Sequence, residues 1–387
     1  MAERAFDGRG WRTDAAVLIR DERIVAIEAP GAVPPDWPTT RLPRGAFLAP
    51  GFIDLQVNGG GGVLLNDRPT ADGMRAIARA HRRFGTTACL PTLITDTPAQ
   101  MRAAIAAARA SAGRDGILGL HLEGPFISPQ RPGVHRPDLI RPPDYPPLQG
   151  EGKSDLEELC DLAGAGRSLV TLAPECVSAG FIQRLAAAGV RVSIGHSEAS
   201  AAVVLQAVAD GATGVTHLYN AMPPLSARAP GIVGAALAER RLTAGLIVDG
   251  IHVDPVAVRA AFAAKGDRIA LVTDAMPTVG TSLDRFTLMG RTIRLAGGRL
   301  TTDEGTLAGA HLDMAAAVRN AVQLAGLPLE DALRAAALTP AQFLGLEHER
   351  GALFSGARAD LVALTGGLSV IATWVGGEGE AVKSNPQ

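Results

Sequence analysis

The chain has few cysteines, no long apolar run and no excess of charge of either sign. Cys89, Cys160 and Cys176 are an odd, scattered set without Cys-x-x-Cys spacing, which excludes a disulfide framework and a cysteine zinc knuckle. They read as reduced, mostly buried thiols of a cytoplasmic protein. No apolar stretch approaches the ~20 residues of a membrane span. The opening Met-Ala-Glu-Arg-Ala-Phe-Asp-Gly has no apolar core after its arginine, so neither a membrane anchor nor a secretion signal is expected. Lys and Arg number 37 against 39 Asp and Glu, a formal net charge of −2. That balance gives no footprint for nucleic acid or an anionic membrane, so an anionic ligand has to be small and locally bound.

What is present is a repeated unit. With 387 residues, 47% hydrophobic and 20% charged, the chain is too apolar for disorder and long enough for a barrel of ~250 residues beside a smaller domain. Short apolar runs recur at Phe52–Val57, Thr86–Leu90, Ile117–Glu123, Leu169–Leu172, Val190–Ile194, Thr213–Thr216, Ala244–Val248 and Ile269–Val272. Helical stretches fall among and after them, including Ala71–Phe84, Pro98–Ala110, Ser178–Ala188, Ala199–Asp210, Pro255–Ala264 and Leu312–Leu324. Eight such runs predict an α/β fold, a (β/α)8 TIM-like barrel over residues 51–349. The short β-like runs before residue 50 and the stretch from Gly356 to Val375 lack the apolar length for separate cores. They predict one small β-sandwich domain built from both termini, residues 1–50 with 350–387.

Two segments break the alternation. Pro129–Lys153, rich in proline and carrying Arg131, His135, Arg136 and Arg141, reads as a long loop over the barrel mouth. Phe286–Leu300 reads as an inserted hairpin turning at Gly297-Gly298.

In such a barrel the carboxyl-end loops carry the chemistry. The residues at these strand ends are Gln56 and Asn58, Glu123, Glu175, His196, His217, Asp249 with His252, and Asp274. Two β-branched runs end abruptly in His196 and His217, the way a parallel barrel presents imidazole ligands; a pair of core histidines is the plain alternative. Glu123 adds a carboxylate from a third strand end. Three protein ligands with one position left open is the layout of a catalytic zinc or related divalent site, whereas a structural site is closed by a fourth ligand, often Cys. The competing role for Glu123 is a rim ion pair with an arginine such as Arg131. Asp274 is either a helix N-cap or, beside a metal, the general base of a hydrolysis.

Eight segments in order, Pro50-Gly-Phe-Ile-Asp-Leu-Gln-Val-Asn-Gly, His121-Leu-Glu-Gly-Pro125, Thr171-Leu-Ala-Pro-Glu175, Gly195-His-Ser, Thr216-His-Leu-Tyr-Asn-Ala-Met222, Asp249-Gly-Ile-His252, Leu271-Val-Thr-Asp274 and Gly305-Thr-Leu-Ala-Gly309, carry a further signal. As a set they resemble the N-acetylglucosamine-6-phosphate deacetylase family of the amidohydrolase superfamily. With Gly356-Ala-Arg-Ala-Asp360 the resemblance covers nearly the whole chain; the first motif alone marks only an amidohydrolase.

The resemblance implies one divalent ion per subunit held by Glu123, His196 and His217, with Zn2+ first and Fe2+, Co2+ or Mn2+ as alternatives. Many amidohydrolases have His-x-His where Gln56 and Asn58 stand. Amides are poor substitutes for imidazole, so this pair marks a vestigial second-metal position, and no strand end offers a lysine for a carboxylated bridge. The resemblance further implies Asp274 as the catalytic base and His135 as the donor to the acetyl carbonyl. Implied substrate contacts are Val134 with His135, Asn220 and Ala221, and the turn Leu307-Ala308-Gly309. His252 and Arg228 would bind the sugar phosphate, with Asp249 beside them. In the family a phosphate ligand can cross a subunit interface, which implies a homodimer. His311 stands where a small polar residue is expected, so the resemblance does not define that edge of the substrate site. His121 is expected to orient its strand end without binding metal, and His81 and His348 to lie at the surface.

The implied activity is hydrolysis of N-acetyl-D-glucosamine 6-phosphate to D-glucosamine 6-phosphate and acetate, a step of amino-sugar catabolism on a small phosphorylated substrate. The galactosamine epimer, an N-acyl amino acid or cyclic amide, and a catalytically inert ligand-binding barrel are the alternatives. An inert barrel has no need to hold Asp274 beside an open metal position.

Overall fold

The computed structural model describes residues 1–141 and 155–381. Residues 142–153 of the expected loop and 382–387 of the expected terminal domain lie outside the described residues. Eight parallel strands follow one another in hydrogen-bonded order: β1 (Phe52–Val57), β2 (Thr86–Ile94), β3 (His121–Glu123), β4 (Leu169–Leu172), β5 (Arg191–Ile194), β6 (Gly214–Val215), β7 (Thr243–Leu246) and β8 (Ile269–Leu271). Every residue in them except Arg191 is buried, because helices cover one face and the opposite strands cover the other. That is why the strands read as continuous apolar runs.

The barrel closes where β1 meets the segment after β8. Asp274 N–H donates to the Gln56 carbonyl at 3.0 Å and Gly59 N–H to the Ala275 carbonyl at 2.8 Å. Asp54 accepts the Thr273 hydroxyl at 2.5 Å and the Thr273 N–H at 3.3 Å. Burial raises this carboxyl to about 7.

β2 runs through Pro91 to Ile94, four residues past the expected end at Leu90. Proline removes a ladder N–H and argues against a central strand. Here the register of β1 shifts opposite it, and the Val57 N–H donates to the Thr92 hydroxyl instead, at 2.9 Å.

The flanking helices start where side chains can accept their free N–H groups: Thr70, Thr97, Ser200, Asp254 and Asp313 each cap one. In helix Ala71–Arg82 the inward face is Met74, Ile77, Ala78 and His81. The surface position expected for His81 is therefore wrong. Its spacing from Met74 follows the helical repeat, and its buried Nε2 donates to the Gly59 carbonyl at 2.9 Å. His348 is exposed. Of the cysteines, all free, only Cys89 is buried, while Cys160 and Cys176 are half-buried. No described helix is long and apolar enough to cross a membrane.

Both ends of the chain enter one seven-stranded sheet, in the order Glu378–Ala381, Val370–Val375, Leu361–Leu364, Phe47–Pro50, Ala2–Phe6, Trp11–Arg20, Arg23–Glu28. Phe47–Pro50 is the join, parallel to Ala2–Phe6 and antiparallel to Leu361–Leu364. Alternation along these strands divides their side chains between two cores. Phe6, Phe47, Ala49, Val362 and Leu364 face the barrel's core, while Ala5, Leu48 and Ala363 pack in a separate cluster.

The segment expected as a hairpin has three strands, Arg285–Leu288, Arg291–Ala296 and Arg299–Thr301. Its missed turn is Met289-Gly290, both with positive φ, as at Gly297-Gly298. Leu288, Ile293 and Leu300 pack against Ile94, Met276 and Ala308, which builds one wall of the barrel mouth.

Asp360, buried just ahead of Leu361–Leu364, accepts from Arg350 at 2.5 Å and from the Gly376 N–H at 2.8 Å, with Arg358 at 3.3 Å. Asp360→Ala leaves two guanidinium groups without their shared counter-charge. Loss of one partner from a buried pair costs about 3–5 kcal/mol, so the unfolding midpoint in urea should fall clearly. Asp360→Asn, which can still accept from Gly376, should fall less.

Candidate active site

The site is built by strands that stop short. β3 ends in Glu123 itself; β5 and β6 end just before His196 and His217, and Asp274 follows β8. His196, His217 and Asp274 have φ values of 48°, 29° and 51°. This left-handed conformation turns the chain sharply and leaves each side chain in the barrel mouth. His and Asp tolerate it better than branched residues, and such strain gathers at functional sites.

Glu123 Oε1 lies 3.1 Å from His196 Nε2 and 2.9 Å from His217 Nε2, and the two ring nitrogens are 3.1 Å apart. Among the described residues these three form the group of potential metal ligands, their ligand atoms all within 4.8 Å of one another and all buried. The donor set fits a divalent ion: one carboxylate, two imidazoles and no fourth protein ligand. His196 Nδ1 donates to the Arg131 carbonyl at 2.8 Å, which turns the Nε2 lone pair toward the cluster as a ligand requires. Burial opposes charge on Glu123, but its two imidazole hydrogen bonds outweigh that and hold its pKa well below the usual range. Burial likewise opposes a proton on His217, and the bond to Glu123 again prevails, raising its pKa. The cluster attracts positive charge. The rim pairing considered for Glu123 is absent, since Arg131 pairs with Glu198.

Beneath the cluster the barrel interior is polar. His121 Nε2 meets the Thr171 hydroxyl at 2.7 Å, Thr171 meets Thr216 at 2.6 Å, and Thr216 donates to Ser193 at 2.7 Å. His121 thus braces strand ends without joining the ligand cluster.

Asp274 is not a helix cap, because the next helix begins at Met314. Its Oδ1 accepts from Asn58 Nδ2 at 2.6 Å and Gln56 Nε2 at 3.1 Å. The two amides hold one oxygen and leave Oδ2 to exchange a proton. Burial first, then the charge on Glu123, push the Asp274 carboxyl up to about 6. His135 is buried with Nδ1 2.7 Å from the Thr95 hydroxyl. Burial, then the neighbouring His196, lower its pKa to about 3, so it is a neutral imidazole.

These groups surround a cavity of roughly 220 Å³. Of the expected residues, Asn58, Glu123, Val134, His135, His196, His217, Asn220, Ala221, His252, Asp274, Leu307 and Gly309 line it. Four others do not. Gln56 lies below Asp274 and faces the barrel interior. Asp249 stands behind His252, accepting from its Nδ1 at 2.6 Å and from the N–H groups of Ile251 and His252 at 2.8 Å. Ala308 points into the apolar cluster of the three-stranded wall. Arg228 is exposed and off the cavity. His311 bonds the Thr278 hydroxyl at 2.9 Å, also away from the cavity.

Residues not foreseen include Ile94, Met276 and Thr306 on the cavity wall, Asp54 at the seam and Thr95 behind His135. Thr95 is the first residue past the true end of β2. The strand-end rule would have found it had the run been carried past Leu90 to Ile94.

Residues 47–379 match the amidohydrolase family, and the chain belongs to that family. More particularly, it is similar to the N-acetylgalactosamine-6-phosphate deacetylase of Shewanella sp. (strain ANA-3), with 42% identity over 347 residues, 89% of this chain and 85% of the relative. It is similar also to the crystal structure of N-acetylglucosamine-6-phosphate deacetylase from Pasteurella multocida, with a TM-score of 0.91 and 36% identity over 97% of each chain. A mutant of the Mycobacterium smegmatis N-acetyl-D-glucosamine-6-phosphate deacetylase, solved in complex with N-acetyl-D-glucosamine 6-phosphate, matches with a TM-score of 0.87 and 34% identity, over 98% of this chain and 97% of that one.

The role of base expected for Asp274 requires the carboxylate, so an activity that depends on it should fall as pH drops through its pKa. Asn58→Leu removes a hydrogen bond that favours the ionised form. A bond to a charged group is worth about 1.5–3 kcal/mol, or about 1–2 pH units. The acid limb of kcat/KM should therefore move upward by about one unit or more.

Proposed function

We propose that the chain hydrolyses the acetamide of N-acetyl-D-glucosamine 6-phosphate, releasing D-glucosamine 6-phosphate and acetate in amino-sugar catabolism. The observation that carries this reading is one cavity lined by a Glu-His-His ligand set, a carboxylate clamped at one oxygen, and a buried neutral histidine. The names of the relatives and the bound substrate of one structural neighbour support the choice of substrate.

Glu123, His196 and His217 would hold one divalent ion, Zn2+ by preference and Fe2+, Co2+ or Mn2+ otherwise, which supplies Lewis acidity toward the attacking water and the acetyl carbonyl. The proton work falls to the chain's own residues. Asp274 Oδ2 takes a proton from the water as its oxygen bonds to the acetyl carbon. His135 donates to the carbonyl oxygen as charge grows there, and one well-placed donor is worth about 3 kcal/mol. The C–N bond then breaks, and Asp274 returns its proton to the leaving nitrogen. Asn220, Ala221, Val134, Leu307 and Gly309 would hold the sugar.

His252, steadied by Asp249, would meet the phosphate. Arg228, exposed on this chain, would reach the phosphate in the site of a second subunit, so we propose a homodimer. A phosphorylated sugar and three free thiols suit a cytoplasmic enzyme. The galactosamine epimer is the second reading, favoured by the Shewanella relative at 42% identity.

The deciding assay is amine release from both N-acetylhexosamine 6-phosphates and from unphosphorylated N-acetylglucosamine, on protein chelated and then reloaded with zinc. Hydrolysis that needs metal and phosphate is expected, with the glucosamine epimer faster; the reverse order would transfer the proposal to the galactosamine epimer. Hydrolysis indifferent to phosphate would discard the roles given to His252 and Arg228. Asp274→Asn should lower kcat about 10²–10⁴-fold with zinc content retained.

A further inference from the structure

We infer that Asp54 is a positioning residue for this reaction, its carboxylate bracing the barrel seam so that Asp274 is presented to the acetyl group in one place. The role rests on the base assigned to Asp274 in the proposed hydrolysis, and the brace on geometry that stands apart from it.

Asp274 lies where the barrel ladder is thinnest. Each strand from β1 to β8 pairs in parallel with the next. Among the described residues, β1 and the segment after β8 share one isolated bridge instead, Val57 with Ala275. Asp274 leaves this seam with a φ of 51°, a conformation that persists only where surrounding contacts enforce it.

Asp54 makes the contacts that the ladder lacks. Its Oδ1 accepts from the Gln56 N–H at 3.1 Å on its own strand and from the Thr273 N–H at 3.3 Å across the seam. Its Oδ2 is 2.5 Å from the Thr273 hydroxyl. That hydroxyl also lies 3.4 Å from the Gln56 carbonyl. Whichever oxygen it donates to, it ties Thr273 to β1, and the two N–H groups can only donate. The brace is therefore independent of where the hydroxyl proton sits.

Both residues gripped by Asp54 hold the base. Thr273 precedes Asp274 in the chain. Gln56 accepts the Asp274 N–H at 3.0 Å through its carbonyl and donates its amide to Asp274 Oδ1 at 3.1 Å. Asp54 thus fixes the backbone that carries the carboxylate and one of the groups that orient it. A carboxyl that is 0% exposed is costly unless its oxygens are bonded, and here every such bond ends on Gln56 or Thr273.

The test compares Asp54→Ala, which loses every contact, with Asp54→Asn, whose amide oxygen can still accept from both N–H groups, in the zinc-loaded full chain. Asp54→Ala should lower kcat about 10²-fold, the scale of a misplacement of about 1 Å. KM and zinc content should hold, because Glu123, His196 and His217 stand on other strands. Asp54→Asn should stay within a few-fold of the wild type. If Asp54→Ala does not fold, Thr273→Val, which removes only the hydroxyl, takes its place. Asp54→Ala added to Asp274→Asn should slow the chain no further, since a base already lost cannot be misplaced. The crystal structure of zinc-loaded Asp54→Ala should show Asp274 moved and the three ligands in place. Equal slowing in both backgrounds, or an unmoved Asp274, would overturn the inference. A wild-type chain with no hydrolysis would overturn the proposed reaction and the role of base with it, while the crystal comparison would still report the brace alone.

Discussion

A buried carboxylate beside two imidazoles sets the terms for everything at the barrel mouth. Glu123 is almost wholly buried, so its charge is best met by a proton on the histidines or by a cation among the three side chains. Bringing ligand atoms from three strands to within about 3 Å leaves little freedom. Two of the strand ends adopt left-handed backbone to do so, and the interior below them is crossed by hydroxyl and imidazole hydrogen bonds where other barrels pack branched aliphatic residues. The polar belt gives up apolar burial and in return fixes strand ends that carry strain.

The Gln56 and Asn58 side chains serve Asp274. Gln56 and Asn58 are poor ligands, but their amide groups donate to the same oxygen of Asp274. The Asn58 bond favours the ionised carboxylate and works against the burial that raises its pKa. The loop carrying His135 is tied back in the same manner, since its Arg131 carbonyl orients His196. The Glu123, His196 and His217 cluster, Asp274 and the His135 loop are each held by short hydrogen bonds.

The barrel was legible because strands buried on both faces are nearly all apolar, so a polar residue at a strand end stands out. Glu123, His196, His217 and Asp274 were visible on that ground. Thr95 was not, because the run was ended at Leu90, whereas the strand continues through Pro91 with a register shift in its neighbour. His81 was misjudged as a surface residue since its polarity was weighed above its spacing from Met74 and Ile77. Asp249 and Ala308 mark a different boundary. Their neighbourhood followed from the motifs, but whether a side chain points into a cavity or away from it depends on backbone direction in turns. A run of letters does not carry that direction.

The terminal sheet is a clasp whose two halves are made at opposite ends of synthesis. Phe47–Pro50 pairs on one side with Ala2–Phe6, available at once, and on the other with Leu361–Leu364, about three hundred residues later. At ribosomal rates of about 5–20 residues per second that interval is about 15–60 s. Throughout it the strand that anchors the barrel's first turn has an open edge, while the barrel behind it is still being delivered. Its short length and terminal proline limit what can pair with it meanwhile.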